Sequence, residues 1–245
     1  MKILALETST QRGGAALVID GRVVAEETTD RQRSHSELLH PFIEKCLSRA
    51  SLRLEDVDLF AVGQGPGSFT GIRVAANAGK SFSFIYDKPL VTVDSLTQIA
   101  AQVRDRSRPV LAMLNAFKNM VYYGLFDVSG DEPRPLSGPG VCPVRELDPL
   151  IQTKVTVAGD GYGVYLADFS DHLKGLLHRE DPPADFPTPG TLGRLAAERA
   201  RQGRVLRWND FVPLYLRASE AEENKRGALF NSTDMKDPVH GKTRS

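Results

Sequence analysis

The chain has 245 residues, which is enough for two domains of about 100 to 120 residues each. Its composition is that of an ordinary globular protein, with 41% hydrophobic residues, 25% charged residues and a mean hydropathy of −0.27. Lys plus Arg and Asp plus Glu each number 31, so the net charge is zero. Because basic residues that neutralise phosphates supply most nucleic-acid affinity, this balance argues against a protein that holds nucleic acid by itself.

The two cysteines, Cys46 and Cys142, lie far apart and have no Cys or His companions at metal-ligand spacing. A disulfide framework and a zinc site are therefore both disfavoured, and a reducing compartment fits better. The apolar run at 3–6 is too short for a signal peptide, since Glu7 follows it at once. No stretch of about 18 apolar residues occurs that could span a membrane. We expect a cytoplasmic protein.

Hydrophobic periodicity predicts strands first and then alternating helices and strands. In chain order we predict strands at 3–6, 15–19 and 22–28, a helix at 34–50, a strand at 59–62, a helix at 69–86, a strand at 90–93 and a helix at 95–102. Asp20 and Gly21 form a strong hairpin signal between the second and third strands. These elements predict one mixed sheet with helices on its faces.

A polar stretch at 104–108 is the predicted domain boundary, and the pattern starts again after it. We predict strands at 110–114 and 121–128, an irregular connection at 129–143, a strand at 154–158, a helix at 189–202 and a closing extended segment at 211–217. The second half therefore repeats the first in outline. The sequence predicts domains at 1–104 and 105–220, each a mixed sheet flanked by helices, and a disordered polar tail at 221–245.

A glycine-rich loop at 65–71 opens the second long helix. Free N–H groups at such a helix start can hold a phosphate, but the sequence is neither a Walker A motif nor a dinucleotide-binding loop. The alternative is a tight strand-to-helix turn that lets helices pack closely. Small residues on one face of the following helix, at Gly71, Ala75, Ala78 and Gly79, favour a helix–helix contact within or between chains.

Few residues are arranged for catalysis or for metal binding. His35 and His40 are five residues apart and do not share a helix face. The predicted hairpin turn at 115–119 has no acidic residue and no glycine, so it offers nothing that would let a metal-bound phosphate approach the backbone. The loop at 159–163 fits either an adenine-side loop or, more readily, a plain strand-end turn. We predict no catalytic residue, no metal ligand and no cofactor, and leave open whether the cleft binds a ligand.

Four segments carry a resemblance to a known family: residues 3–10, the helix start at 35–36, the run at 65–71 and the segment 213–217. They resemble the TsaB family, also called YeaZ. The resemblance implies the two-domain actin-like ATPase (ASKHA) fold and a role in making N6-threonylcarbamoyladenosine on tRNAs that read ANN codons. It implies that the larger paralogue TsaD performs the transfer from threonylcarbamoyl-adenylate, with the ATPase TsaE as a third component.

Under that resemblance the chain is a non-catalytic partner that dimerises with TsaD, forms a homodimer when alone, and meets tRNA only through the complex. Two departures bear on ligand binding in the cleft: Glu7 stands where the family usually has Asp, and Asn115-Ala116-Phe117 stands where Asp-Ala-Arg is usual. An ATP-dependent kinase or transferase, or a metallopeptidase, remains the alternative. The histidine pair expected of a metallopeptidase soon after 90–93 is absent from 94–98.

The predicted partner surface lies on the two long helices of the first half. It comprises Leu39, Phe42, Ile43, Cys46, Gly71, Ala75, Ala78, Gly79 and Phe82. One side of each amphipathic helix must cover the sheet, so not all of these residues can face a partner.

Overall fold

The computed structural model describes residues 1–31 and 35–218, and these form two five-stranded mixed sheets. The strands are β1 (Lys2–Glu7), β2 (Gly13–Ile19), β3 (Arg22–Thr29), β4 (Leu59–Gly63), β5 (Leu90–Val93), β6 (Val110–Asn115), β7 (Met120–Asp127), β8 (Arg134–Pro143), β9 (Val155–Ala158) and β10 (Leu177–Arg179). The helices are α1 (His35–Ser48), α2 (Phe69–Tyr86), α3 (Ser95–Ala100), α4 (Asp160–Tyr165), α5 (Asp171–Leu176) and α6 (Pro189–Arg201).

The two sheets have the same topology. The first has the strand order β3-β2-β1-β4-β5 and the second β10-β9-β6-β7-β8, which is the same order read from the other edge. In each sheet three antiparallel strands are followed by two strands that run parallel to the central one. The predicted repeat of the first half by the second is confirmed at the level of topology.

The central strand β1 shows why an apolar run becomes an interior strand. Its residues from Ile3 to Leu6 are fully buried, because helices cover both faces of the sheet. Leu4 and Leu6 pack under α1 and α2, whereas Ile3 and Ala5 pack under α6. Burying each large apolar side chain in this way contributes roughly 1.5 to 3 kcal/mol.

Two helices belong by sequence to one half of the chain but pack on the sheet formed by the other half. Helix α6 follows the strands of the second sheet in sequence but packs on β1 and β2 of the first. Helix α3 precedes the predicted boundary at 104/105 but packs on β6 and β7 of the second sheet. That boundary therefore separates the strands of the two sheets, but not the helices that cover them.

Several local expectations need correction. The segment 129–143, predicted to be irregular, contains β8, which pairs with β7 at the edge of the second sheet. The strand was not predicted because Pro135, Pro139 and Gly140 are typical of loops. An edge strand tolerates these residues, because one of its sides needs no ladder hydrogen bonds. Helix α5 and strand β10 were not predicted, and the predicted extended segment 211–217 contains no strand. Within the described ranges, no helix is long and apolar enough to cross a bilayer.

Both cysteines are free and buried, in separate clusters. Burial raises the pKa of Cys46 to about 11 and that of Cys142 to about 12. Because the thiolate is the reactive form, both thiols are poor nucleophiles near neutral pH. The first residue of the helix predicted at 34–50 and the predicted tail at 221–245 lie outside the described residues.

Candidate functional site

A cavity of about 1310 Å³ opens between the two lobes. Five segments line it: the loop after β1, the start of α2, the turn between β6 and β7, helix α4, and the C-terminal part of the described chain. The lining residues include Ser9, Thr10, Gln11, Ser68, Phe69, Arg73, Asn115, Phe117, Lys118, Asp160, Val164, Tyr215, Arg217 and Ala218. Both central strands thus end at this cleft, which is the place where a ligand would meet residues of both lobes.

Glu7 ends β1 but does not reach the cleft, because its side chain is fully buried. Its Oε1 accepts a 2.8 Å hydrogen bond from the backbone N–H of Ser9, and its Oε2 accepts a 2.6 Å bond from Nε2 of Gln98. Burial raises the pKa of Glu7, and the hydrogen bonds from Ser9 and Gln98 oppose that rise only in part. A Cβ at Gly63 would lie 2.1 Å from Oε2, so a glycine there makes room for the carboxylate.

The glycine-rich loop serves close packing. Ser68 caps α2, accepting a hydrogen bond from the N–H of Gly71. A Cβ at Gly71 would lie 2.0 Å from the carbonyl oxygen of Thr8. The Thr8 hydroxyl in turn donates to the carbonyl of Gly71 and accepts from the N–H of Ala75. The loop therefore brings the first turns of α2 against the backbone after β1.

The turn between β6 and β7 is tight and contains no glycine. Three consecutive residues have φ between 52° and 59°, namely Phe117, Lys118 and Asn119. The side chain of Asn115 accepts hydrogen bonds from the Phe117 N–H and from the Tyr165 hydroxyl, and Arg217 donates to the carbonyl of Ala116. These contacts hold a sterically strained backbone in place, and Phe117 remains 67% exposed at the cleft.

Asp160 begins α4 and is the one acidic residue among the cavity-lining residues of the described chain. Its Oδ1 accepts a 2.9 Å hydrogen bond from the N–H of Asn115. Burial raises the pKa of Asp160, and the nearby charge of Asp185 acts in the same direction. The segment 159–163, expected to be a strand-end turn or an adenine-side loop, is therefore a strand-to-helix turn that places one carboxyl group in the cleft.

Asp94, His35 and His40, which could in principle serve as metal ligands in a metallopeptidase, do not form a common site. Both oxygens of Asp94 are used to cap α3, where they accept from the N–H and the hydroxyl of Thr97. His35 is 3% exposed, and burial lowers its pKa, whereas the ring of His40 packs edge-on against Phe82. Across residues 1–31 and 35–218, no three His, Cys, Asp or Glu side chains form a group that could hold a metal ion.

The residues predicted for the partner surface lie mostly on the buried faces of α1 and α2. Eight of the nine predicted residues are buried within the chain itself, because the apolar faces of α1 and α2 cover the first sheet: Leu39, Phe42, Ile43, Cys46, Gly71, Ala75, Gly79 and Phe82. Only Ala78 is partly accessible. The exposed residues of these two helices are mostly polar, and two apolar residues near the end of α2, Phe84 and Ile85, are exposed as well.

Phe84 and Ile85 are each 65% exposed, and Trp208 is exposed as well. The rings of Phe84 and Trp208 meet edge-on with their centroids 5.2 Å apart. Exposed aromatic and aliphatic side chains grouped in this way often mark protein–protein contacts. Sequence reasoning missed this patch because Trp208 lies in a stretch without periodicity, more than 120 residues after α2.

A polar contact between the lobes was also missed. The hydroxyls of Ser9 and Ser95 lie 2.8 Å apart, next to the contact between Glu7 and Gln98. All four side chains are fully buried. The sequence signal was weak, because Gln98 is one of three polar residues in the short helix α3, with Ser95 and Thr97.

Two lobes of equal topology that close on a cleft at the ends of their central strands define an α/β protein of the two-domain actin-like (ASKHA) class. A family model described as "TsaD: tRNA N6-adenosine threonylcarbamoyltransferase" matches residues 22–225. The chain is 28% identical over 230 residues to the tRNA threonylcarbamoyladenosine biosynthesis protein TsaB of Haemophilus influenzae, covering 89% of this chain and 94% of that protein. It is 27% identical to the Escherichia coli TsaB over 230 residues, with 90% and 96% covered.

Among solved structures, YeaZ from Pseudomonas aeruginosa superposes with a TM-score of 0.77 at 26% identity, over 88% of this chain and 99% of that one. The chain therefore belongs to the TsaD family and, within it, to the TsaB (YeaZ) proteins. The resemblance found in the sequence and the predicted fold class are both confirmed.

Proposed function

We propose that this chain is a non-catalytic subunit required for N6-threonylcarbamoyladenosine formation on tRNAs that read ANN codons. It acts by dimerising with a TsaD-like catalytic paralogue, and a TsaE-like ATPase is a further component. The chain forms a homodimer when alone and meets tRNA only through the complex. Its relatives named as tRNA threonylcarbamoyladenosine biosynthesis proteins support the pathway, whereas the non-catalytic role is argued from the cleft.

The burial of Glu7 is the observation that carries the non-catalytic role. Transfer of a phosphoryl or carbamoyl group from a nucleotide needs carboxylates that can hold a metal ion beside the phosphates. Glu7 ends the first central strand, but its two oxygens are bonded to Ser9 and Gln98 inside the protein. Asp160 is then the single carboxyl group that faces the cleft in the described chain, and it is already bonded to the N–H of Asn115.

The partner role is argued from α1 and α2. These helices lie side by side on the first sheet and share one core cluster. Their outer faces, which include the partly accessible Ala78 and the exposed Asn77 and Ser81, would receive a matching pair of helices. The patch of Phe84, Ile85 and Trp208 at one end supplies the aromatic and apolar anchors that dominate interface energies.

The alternative is an ATP-dependent transferase or kinase of the same fold, and the size of the cleft is the observation that favours it. Reconstitution separates the two. The purified chain, a TsaD-like and a TsaE-like protein are mixed with tRNA, threonylcarbamoyl-adenylate and ATP, and the modified nucleoside is measured by mass spectrometry.

We expect product only when the catalytic paralogue is present, and a rate that falls when this chain is omitted. Product formed by this chain without the paralogue, or ATP hydrolysis by this chain alone well above the buffer control, would overturn the non-catalytic role. A rate that does not change when this chain is omitted would overturn its role as a required subunit.

A further inference from the structure

Glu132 joins the two lobes through two arginines. It lies in the connection between β7 and β8 of the second lobe, whereas Arg199 lies near the end of α6, which packs on the first sheet. Oε1 of Glu132 accepts a 2.7 Å hydrogen bond from Nε of Arg199 and lies 2.6 Å from its Nη2. Oε2 of Glu132 accepts from Nη2 of Arg204. Each carboxylate oxygen therefore has a guanidinium group of its own.

Both arginines are fixed to the first lobe. Nη1 of Arg199 donates to the carbonyl oxygen of Thr92 in β5, and the backbone N–H of Arg204 donates to the carbonyl oxygen of Arg199. The side chains of Glu132 and Arg199 are only 15% and 18% exposed, so solvent and salt screen this pair less than an ion pair on the surface. Because the guanidinium group of Arg199 is already held by β5, pairing with Glu132 costs little further side-chain entropy.

The Glu132 contact lies far from the cleft wall of the second lobe. The turn between β6 and β7 lines the cleft, whereas Glu132 follows the other end of β7. The 8 residues of β7, at about 3.3 Å each, separate its two ends by about 25 Å. Elsewhere the lobes touch at the buried pairs Glu7–Gln98 and Ser9–Ser95. Two bodies joined at one place can rotate about it, and a second contact at a distance restrains that rotation.

We propose that Glu132 restrains the angle between the lobes and thereby sets the width of the cleft. While both of its oxygens are paired, the second lobe is held against the end of α6. A neutral side chain in its place has one acceptor oxygen and no charge, so the lobes then sample a range of angles. The ion pairs Arg12–Asp30 and Arg134–Asp127 each join residues of one lobe and exert no such restraint. This inference does not depend on whether the chain is catalytic.

The distance between two spin labels across the cleft tests this restraint in the full-length protein. Thr70→Cys and Val164→Cys carry the labels, because both positions are exposed and line the cleft from the first and the second lobe. The native Cys46 and Cys142 are buried, and their pKa values are raised to about 11 and about 12, so they react poorly with the label. We expect one narrow distance distribution when Glu132 is present.

Two substitutions of the same chemistry give the variant and its control. Glu132→Gln should at least double the width of the distance distribution. Glu198→Gln removes a carboxylate that pairs with Arg201 at 3.0 Å within α6, and it should leave the width unchanged. Circular dichroism verifies that both variants are folded.

A double variant shows whether Glu132 and Arg204 act through one contact. Arg204→Gln leaves Arg199 paired with Glu132, so it should widen the distribution less than Glu132→Gln does. Glu132→Gln with Arg204→Gln should give the width of Glu132→Gln alone, because changes to the two partners of one contact are not additive.

Three outcomes would overturn the proposal. The first is an unchanged width in Glu132→Gln, and the second is equal widening by Glu198→Gln, which would indicate a general effect of charge. The third is a double variant wider than Glu132→Gln, which would mean that Arg204 acts through another partner. If Glu132→Gln does not fold, Arg204→Gln decides alone, and an unchanged width in that variant overturns the proposal.

Discussion

The carboxylate of Glu7 accepts a 2.6 Å hydrogen bond from Nε2 of Gln98, and this contact joins the central strand of one lobe to the helix α3 that covers the other. Both side chains are fully buried. Within the described residues, no ion pair includes Glu7. The interior at the lobe junction therefore holds either a neutral acid or a carboxylate stabilised by hydrogen bonds alone.

This arrangement predicts a specific pH dependence of stability. Because burial raises the pKa of Glu7 in the folded state, the unfolded chain releases this proton first, starting near the ordinary value of 4.5. The contribution of Glu7 to the free energy of unfolding is therefore full below pH 4.5 and is lost as pH rises towards the folded-state pKa. In Glu7→Gln this loss should be absent.

Urea unfolding of both proteins between pH 4.5 and 8 measures the effect. We expect the difference between wild type and Glu7→Gln to change by up to about 1.4 kcal/mol per pH unit, with the wild type losing stability as pH rises. Parallel curves would show that Glu7 has the same pKa in the folded and unfolded states.

A second prediction concerns the space beside Glu7. In Gly63→Ala the added methyl group would lie 2.1 Å from Oε2 of Glu7, so the carboxylate has to move and its hydrogen bonds to Ser9 and Gln98 are lost. We expect a loss of about 2 to 4 kcal/mol in the free energy of unfolding. Gly163→Ala in α4 is the matched control, because its Cβ would meet nothing within 4 Å.

Alanine stabilises a helix more than glycine does. Gly163→Ala should therefore leave the free energy of unfolding unchanged or raise it by up to about 1 kcal/mol. Denaturant unfolding measures the change in the free energy of unfolding for Gly63→Ala and for Gly163→Ala. Equal effects at the two glycines would mean that the close contact with Glu7 is not what requires Gly63.

A third prediction concerns tRNA. The end of α6 is rich in arginine, but Arg199 and Arg204 both pair with Glu132, and Arg201 pairs with Glu198 at 3.0 Å. Because these charges are neutralised locally and the net charge is zero, the isolated chain should bind tRNA with a Kd above about 1 μM at physiological salt. Filter binding measures this value.

Glu132→Gln should strengthen that binding several-fold, because it releases two guanidinium groups at once. Glu146→Gln removes the same charge at an exposed site away from these pairs and should have a smaller effect. Submicromolar binding by the wild-type chain would contradict the expectation that tRNA is met only through the complex.

The sequence was informative where local signals decide the structure. The unbroken apolar run of β1 was recognised, because burial on two faces leaves a direct mark on the residue pattern. Strand β8 was missed because its prolines and glycines are typical of loops, and only its place at a sheet edge makes them acceptable.

The candidate site depended more on tertiary contacts. No local pattern shows that Glu7 turns inward to Gln98, 91 residues away, or that Phe84 meets Trp208. The predicted partner residues illustrate the same limit. Periodicity locates the apolar face of a helix, but it does not say whether a sheet or a partner covers that face, and here the sheet covers it.

The last prediction tests the partner surface. Ala78 is the one predicted interface residue that is partly accessible, and it packs at the edge of the core cluster beneath α2. Ala78→Arg places a long charged side chain on the outer face of α2, where a closely packed partner helix would have to bury it without a counter-charge. We expect homodimer and heterodimer association to weaken by at least about 2 kcal/mol, roughly 30-fold in Kd.

The monomer should keep its melting temperature within a few degrees, because arginine is a good helix former and its head can reach solvent. Ala167→Arg, at an exposed position of the second lobe, is the matched control and should change neither property. Size-exclusion chromatography with and without the catalytic paralogue, together with a thermal melt, measures both. Dimer peaks that Ala78→Arg leaves intact would place the interface elsewhere, whereas a collapsed melting temperature would show that Ala78 belongs to the monomer core.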